Sequence, residues 1–125
     1  MATDEYEQAE SSVEVEHPAP GLAIVSLRGE HDLGNRQALA ETLARAGAGR
    51  DLLVDLSECT FLDSTVLGVL LAASLEREAA GGHLGLIIPP EAQIVFRITR
   101  VAGVASFMPI YASREAGVES LHAGA

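Results

Sequence analysis

The chain has little of what several protein classes depend on. It has a single cysteine, Cys59, which excludes an intramolecular disulfide, and it has no tryptophan and only 4% aromatic residues. It also has no lysine, the residue with which a P-loop holds nucleotide phosphates. No apolar run approaches the roughly 18 residues of a membrane-spanning helix. The low aromatic content predicts an aliphatic core, and the length of 125 residues predicts one domain, large enough to fold without disulfides or metal.

The charge is as uneven as the composition. The formal net charge is −10, and all basic residues are arginines. Six acidic residues lie in the first 16 positions, namely Asp4, Glu5, Glu7, Glu10, Glu14 and Glu16. Such a chain repels nucleic acid phosphates, so we expect no nucleic acid partner. The N-terminus lacks the basic and apolar regions of a signal peptide, so we expect a cytoplasmic protein with no membrane partner.

Apolar patterns divide the chain into a polar tail and one folded domain. Residues 1–11 are polar and acidic and are predicted to be a mobile tail, followed by a domain over residues 12–125. The predicted strands are Ser12 to Glu16, Leu22 to Leu27, Asp51 to Leu56, His83 to Ile88 and Phe107 to Tyr111. The predicted helices follow the polar loop Gly29 to Asn35, begin near Ser64, follow Pro90 and follow Ser113.

This order of elements predicts the fold class. The first two strands form a hairpin, and the later strands alternate with helices, which is typical of parallel strands joined by crossovers. We therefore expect an α/β fold, a small mixed β-sheet of four to five strands packed with about four helices. Two local expectations accompany it. Residues Ser57 to Leu62 should form a turn, and Ile94, Ile98 and Val101 should form an apolar stripe on the third helix.

The segment Asp63-Ser64-Thr65 lies between the central strand and the helix that follows it. Functional sites in open α/β sheets collect at this position, beyond the carboxyl ends of strands. The Ser64 hydroxyl would lie beside unpaired backbone N–H groups at the helix start, so it could carry a phosphoryl group. Alternatively, Ser64 only caps the helix. Thr65 could cap equally well, which would leave one hydroxyl free.

Other chemistry has weaker support in the sequence. Asp63 could be a base, a metal ligand or a cap, but no carboxylates or histidines are spaced to complete a metal site, so no metal or cofactor is expected. The histidines are scattered, as expected for surface or strand-end positions, at His17, His31, His83 and His122. Ser64 lacks the flanking glycines of a hydrolase nucleophile elbow, and nothing beyond chain order supports a Ser64–His31–Asp32 triad. We therefore expect a protein that is not an enzyme.

Three segments around Ser64 resemble the signature of STAS domains: Val54 to Ser57, Phe61 to Thr65 and Leu67 to Leu70. Within that family the sequence is most similar to bacterial anti-sigma factor antagonists, and Gly29 to Leu33 resembles their G-E-x-D loop. Further matching segments are Phe96 to Thr99 and Pro109 to Tyr111. The resemblance covers approximately residues 13–122 and implies the same small mixed sheet.

The resemblance implies a role in partner switching. An unmodified antagonist binds an anti-sigma factor that is also an ATP-dependent serine kinase, which frees the sigma factor. The kinase phosphorylates the serine after the motif aspartate, here Ser64, and a serine phosphatase resets the switch. The partner-binding residues implied in this chain are Glu30, His31, Asp32, Asp63, Ser64, Thr65, Val66 and Leu67. A monomer or weak homodimer is expected.

One position departs from the family pattern. The family often has glycine two residues after the phosphorylated serine, whereas this chain has Val66, whose β-branched side chain would hinder close approach of a kinase backbone. Two alternatives therefore stay open. The chain could be an accessory STAS subunit of a transport or signalling assembly without phospho-switching, or an enzyme with Ser64 as its nucleophile.

Overall fold

The computed structural model describes the backbone of residues 3–8 and 11–123 and the side chains of residues 11–121. The strands are β1 Thr3–Gln8, β2 Ser11–Ala19, β3 Leu22–His31, β4 Asp51–Leu62, β5 Leu84–Ile87 and β6 Ile110–Tyr111. The α-helices are α1 Arg36–Gly47, α2 Ser64–Ala79, α3 Gln93–Val101 and α4 Arg114–Ala123, and short 3-10 helices span Leu33–Asn35 and Val104–Ser106. In the described ranges, no helix is long and apolar enough to cross a membrane.

The strands form one mixed sheet in the order β1-β2-β3-β4-β5-β6. Strands β1, β2 and β3 pair antiparallel, whereas β3, β4, β5 and β6 run parallel. The predicted hairpin and the parallel alternation that follows it are confirmed, as is the α/β class with four helices. The carboxyl ends of β3 and β4 therefore meet at one edge of the sheet, directly before α1 and α2.

The acidic N-terminal segment differs from its prediction as a mobile tail. Residues 3–8 form β1, which pairs with β2 from Thr3 opposite Val15 to Gln8 opposite Ser11. The sheet thus has six strands, one more than the upper end of the predicted range. The pairing uses backbone N–H and C=O groups along the outer edge of β2, which accept a neighbouring strand whatever its side-chain polarity. Residues 1, 2, 9 and 10 of the predicted tail lie outside the described residues.

The central strand β4 is longer than its sequence indicates, and the prediction of a turn from Ser57 to Leu62 is wrong. Beyond Leu56, β4 continues beside β3 as far as the pair His31 and Leu62. A register shift follows Asp55, and the continuous run of buried residues in β4 ends at Leu56. At that shift the Asp55 carboxylate accepts a hydrogen bond from the Ser57 backbone N–H at 2.9 Å, a local contact typical of turns. A turn was predicted because Asp55 and Ser57 at this irregularity are polar residues that are common in turns.

The helices lie on the two faces of the sheet in unequal numbers. Helices α1, α2 and α3 contribute to the larger apolar cluster on one face, together with the inward side chains of β2 to β5. Leu121 of α4 packs on the other face against Leu22, Ile24, Leu53 and Ile87. Cys59 belongs to the larger cluster, and burial raises the pKa of its thiol to about 11, so it stays protonated at neutral pH.

Helix α3 buries a different face from the predicted one. Ile94 and Val101 of the predicted stripe are 60% and 84% exposed, while Val95 and Thr99 are buried and Ile98 is partly buried. The period is the predicted one, but the phase is shifted by one residue. Thr99 tolerates burial because its hydroxyl donates to the Val95 carbonyl at 3.0 Å. The strand predicted from Phe107 is also shorter, since β6 contains only Ile110 and Tyr111.

Candidate functional site

Asp63 joins the central strand to helix α2 and caps that helix. Its backbone is extended (φ −101°, ψ 179°), and its Oδ1 accepts a hydrogen bond from the Val66 N–H at 3.0 Å. Its Oδ2 accepts a second bond from the Leu33 N–H at 3.2 Å, across the edge of the sheet. One interpretation of the sequence made Ser64 the N-cap, and the structure shows that Asp63 is the N-cap instead. The side chain of Asp63, the residue before Ser64, satisfies one of the unpaired N–H groups of the first turn, that of Val66.

Ser64 occupies the first helical position of α2, and its side chain is exposed. Within the described part of the chain, its hydroxyl takes part in none of the side-chain hydrogen bonds that hold this region together. A hydroxyl in this position can be reached by a macromolecular partner and can be modified without removing a helix cap. Thr65, the second candidate hydroxyl, is only partly exposed.

The loop after β3 lies against Asp63 and forms the other half of the site. Asp32 caps the short 3-10 helix: its Oδ1 accepts from the Gly34 N–H at 2.9 Å, while its own N–H donates to the Asn35 side chain at 3.0 Å. The backbone N–H of Asp63 donates to the His31 carbonyl at 3.3 Å. Together with the Leu33–Asp63 bond, these contacts fix the loop to the start of α2.

The predicted partner-binding residues lie at one edge of the sheet, but they differ in how exposed their side chains are. The exposed residues are Glu30, Asp32 and Ser64, and the partly exposed residues are Asp63, Thr65 and Leu67. The side chains of His31 and Val66 are fully buried, so the prediction that they contact a partner must be corrected. Both point into the protein and support the surface from below.

Val66 bears on the one departure from the family pattern. A valine at this position was expected to obstruct a kinase, but its side chain packs in the larger core cluster with none of it exposed. Its N–H is the group that Asp63 caps. The β-branched side chain therefore does not stand on the surface beside Ser64.

Two exposed apolar side chains lie at the same edge of the sheet as Ser64 and were not singled out in the sequence. Leu33 is 63% exposed and Phe61 is 41% exposed. Leu33 donates its N–H to Asp63, and Phe61 pairs with Glu30 at the end of the sheet, so both lie at the same edge as the serine. The signal that could have found Leu33 is an apolar residue inside a polar loop. Exposed aliphatic and aromatic side chains ringed by polar groups are typical of protein–protein contact surfaces.

A groove between α1 and α2 extends this surface. Its volume is about 340 Å³, and it begins at Thr65, the neighbour of Ser64. Small residues form much of its lining, including Gly68, Ala40 and Ala44. We use the term docking surface below for Glu30, Asp32, Leu33, Phe61, Ser64 and the Thr65 end of this groove.

His31 supports the docking surface from a buried position at the end of β3. Its Nε2 lies 3.0 Å from the Arg28 carbonyl oxygen, to which it donates, and its Nδ1 lies 3.3 Å from the Asn35 side-chain nitrogen. Burial lowers the pKa of His31, although hydrogen bonds to the Arg28 and Ser12 backbone and the charge of Asp32 act in the opposite direction. The folded protein therefore favours the neutral imidazole.

This pKa shift predicts a loss of stability in mild acid. The unfolded chain binds a proton at His31 near pH 6.5, whereas the folded chain resists it until lower pH, so the free energy of unfolding should fall as the pH drops below about 6.5. Denaturant titrations between pH 7.5 and 5.5 should show a steeper decline for wild type than for His31→Gln. The matched control His17→Gln, at an exposed position, should retain the wild-type slope. Parallel curves for wild type and His31→Gln would contradict the prediction.

Comparison with known families agrees with this geometry. The family model described as Mlab, STAS domain matches residues 7–110, most of the chain. Among curated proteins, none matches the sequence significantly.

Solved structures with the same fold come from proteins of different kinds. An anti-sigma factor antagonist from Mycobacterium paratuberculosis is 24% identical, with a TM-score of 0.77 over 90% of this chain and 94% of its own. The anti-sigma factor antagonist SpoIIAA in its unphosphorylated form is 21% identical, with a TM-score of 0.74 over 89% and 96%. The murine anion transporter Slc26a9 is 17% identical, with a TM-score of 0.69 over 98% of this chain but only 22% of its own. The match over residues 7–110 shows that the chain belongs to the STAS domain family.

Proposed function

We propose that this protein is a cytoplasmic anti-sigma factor antagonist that binds an anti-sigma factor serine kinase through the docking surface and is released when Ser64 is phosphorylated. The observation that carries the proposal is that Asp63 makes the structural hydrogen bonds at the start of α2, while the adjacent Ser64 makes none of them. Asp63 caps α2 with one carboxylate oxygen and holds Leu33 with the other, which leaves the exposed Ser64 hydroxyl without a structural task. The solved antagonists with this fold support the choice of partner class.

In this proposal the chain is a substrate and a binding partner, and the kinase performs the chemistry. The Ser64 oxygen attacks the γ-phosphorus of ATP held by the kinase, the bond to the β-phosphate oxygen breaks, and ADP leaves. The hydroxyl proton passes to a base of the kinase. The product is a phosphoserine at the start of α2, and a serine phosphatase that hydrolyses it would restore the binding form.

The phosphate would end binding through its charge. It adds about −1.5 to −2 charges at neutral pH, on a surface that already carries the exposed carboxylates of Glu30 and Asp32. The positive end of the helix favours an anion locally, so the fold tolerates the phosphate. A partner that covers the same surface must remove water from that charge, which weakens the complex.

A phosphorylation assay tests the proposal. The protein is incubated with ATP and a purified anti-sigma factor kinase from the same genome, and the modified residue is located by mass spectrometry. We expect one phosphate, on Ser64, with none on Ser64→Ala and an unchanged yield on Thr65→Ala. Absence of phosphate on Ser64, with a kinase that phosphorylates another antagonist, would contradict the proposed switch.

Leu33 provides a test of the docking surface itself. An apolar anchor that becomes buried at an interface typically contributes 1–3 kcal/mol, so Leu33→Ser should weaken kinase binding by about tenfold or more. The matched control is Leu75→Ser on α2, because Leu75 is 59% exposed against 63% for Leu33 but lies about three turns beyond Ser64. Calorimetric titrations of both variants with the kinase compare them directly. Equal effects of the two substitutions would count against this surface.

A second candidate function is an accessory STAS subunit that does not use a phospho-switch. The fold match to Slc26a9 favours it, since 98% of this chain aligns with 22% of the chain of that anion transporter. The same docking surface would then contact a transport or signalling assembly. Stable co-purification with a transport ATPase, together with unmodified Ser64 in cells that contain active anti-sigma kinases, would support this candidate over the first.

A further inference from the structure

Two buried polar side chains lie beneath the loop that carries Leu33. Asn35 and His31 are nearly or fully buried, and their side-chain nitrogens approach to 3.3 Å. Asn35 also donates to the Ser11 hydroxyl at 3.2 Å, and His31 donates from Nε2 to the Arg28 carbonyl at 3.0 Å. We call Asn35, His31 and Ser11 the polar node. It links the start of β2, the end of β3 and the loop.

The node determines the conformation of the loop through Asn35. The Oδ1 atom of Asn35 accepts from the Asp32 N–H at 3.0 Å, while its Nδ2 atom is directed at Ser11 and His31. The Ser11 hydroxyl is one acceptor for Nδ2, and a flipped amide would lose the bond that Oδ1 accepts from Asp32. In the neutral tautomer with the proton on Nε2, His31 supplies a second acceptor through Nδ1, so that both hydrogens of the Asn35 amide have a partner.

The conformation of Asn35 affects the docking surface through Leu33. The Asp32–Asn35 contacts close the 3-10 turn, which aims the Leu33 N–H at Asp63 at 3.2 Å. The same aspartate caps α2 beside Ser64. A change in the node would therefore move Leu33 relative to Ser64 without touching any exposed residue.

We propose that Asn35 and His31 are positioning residues, which hold the Leu33 loop against Asp63 and so assemble the docking surface in its binding geometry. This inference rests on the proposed function only for what the surface binds. The placement of the loop is a property of the isolated protein.

The node contains one titratable side chain, and the groups that face it can be named. The loop presents Asp32 and Asn35, β2 presents Ser11 and the Ser12 backbone, and β3 presents the Arg28 carbonyl. Asp32 is the charged group that acts on His31 among these. A proton on Nδ1 would turn two donors toward each other, since Asn35 Nδ2 is also a donor, and would break one of the contacts that orient Asn35.

Two substitutions of similar size separate the roles of the imidazole nitrogens. In His31→Asn the side-chain oxygen can replace Nδ1 as the acceptor for Asn35, but nothing reaches Arg28. In His31→Gln the terminal nitrogen can replace Nε2 as the donor to Arg28, but the acceptor at the Nδ1 position is lost and Asn35 Nδ2 keeps only the Ser11 hydroxyl. The proposal predicts that only His31→Gln releases the loop.

Amide hydrogen exchange of the free protein, followed by NMR, measures the result. We expect the Leu33 amide of His31→Gln to exchange about tenfold faster than in wild type, the equivalent of one lost hydrogen bond, and that of His31→Asn to stay near wild type. The Val66 amide, bonded to the other oxygen of Asp63, and the core amides of Leu53 and Val54 are internal controls and should not change. Equal acceleration in both variants, or acceleration of the core amides together with Leu33, would overturn the positioning role.

A second measurement on the same samples perturbs His31 by protonation and follows the chemical shift of the Leu33 amide. The Leu33 amide chemical shift of wild type should move together with the His31 ring signals as the pH is lowered, and the movement should be absent in His31→Gln. A Leu33 shift that follows only carboxylate titration in both proteins would overturn the proposal. Neither measurement requires the kinase, so failure of the proposed function would leave this test valid.

Discussion

The Ser64→Asp variant is expected to bind the anti-sigma factor kinase at least about 100-fold more weakly than wild type, which corresponds to about 2.8 kcal/mol. The substitution adds a carboxylate at an exposed position next to Asp63, on the surface that also carries the exposed Glu30 and Asp32. A partner that covers the docking surface must remove water from this new carboxylate. The carboxylates of Glu30, Asp32 and Asp63 on the same surface also repel it. Calorimetry with the purified kinase measures the difference.

Ser64→Asn is the matched control for this experiment, because asparagine has nearly the shape of aspartate without its charge. We expect Ser64→Asn and Ser64→Ala to bind within a few-fold of wild type. Neither removes a helix cap, since Asp63 provides it, so the folded structure should be preserved. If Ser64→Asn binds as weakly as Ser64→Asp, the loss is steric and the electrostatic account is wrong.

The Asp63→Ala variant is expected to lower the free energy of unfolding by about 2 kcal/mol. It removes the cap of α2 and the bond to Leu33 together, and the loss of a capping side chain alone typically costs 0.5–2 kcal/mol. Chemical denaturation of the variant and wild type at pH 7.5 measures this loss. Ser64→Ala, by contrast, should be close to wild type in stability, since the hydroxyl of Ser64 is not a cap.

Asp63→Asn divides the effect between the two carboxylate oxygens. Its Oδ1 can still accept from the Val66 N–H and cap α2, but its side-chain amide cannot accept from the Leu33 N–H. We expect it to keep most of the stability that Asp63→Ala loses, while kinase binding falls because the Leu33 loop is no longer held. A variant as unstable as Asp63→Ala would show that the cap depends on the carboxylate charge, and full kinase binding would show that the loop bond does not matter.

The sequence predicted well those parts of the fold that depend on local residue patterns alone. The hairpin, the parallel strands that follow and the start of α2 at Ser64 were all foreseen, because each depends on local turn residues and on alternating apolar runs. The strand at residues 3–8 was missed since its pairing depends on the free edge of β2 and not on its own composition. The extension of β4 to Leu62 was missed because β3 supports it across the sheet.

The candidate site was predicted only in part, and the reason is again tertiary structure. Ser64 was found from its position between a strand and a helix. Asp63 was one of three possible caps, with Ser64 and Thr65. The sequence did not decide among them, because the backbone conformation and an amide 30 residues away distinguish adjacent residues of similar capping ability. The burial of Val66 is likewise set by tertiary packing, whereas the position of Leu33 inside a polar loop was a local signal for its exposure that was not used.

The most direct test of the account compares one preparation of the protein before and after phosphorylation. Wild type is phosphorylated to completion, the site is verified as Ser64, and both forms are titrated against the same kinase in a calorimeter. We predict that the unmodified form binds and that the phosphorylated form binds at least about 100-fold more weakly, with binding restored after treatment with a serine phosphatase. Equal affinity of the two forms would contradict the claim that Ser64 is a switch.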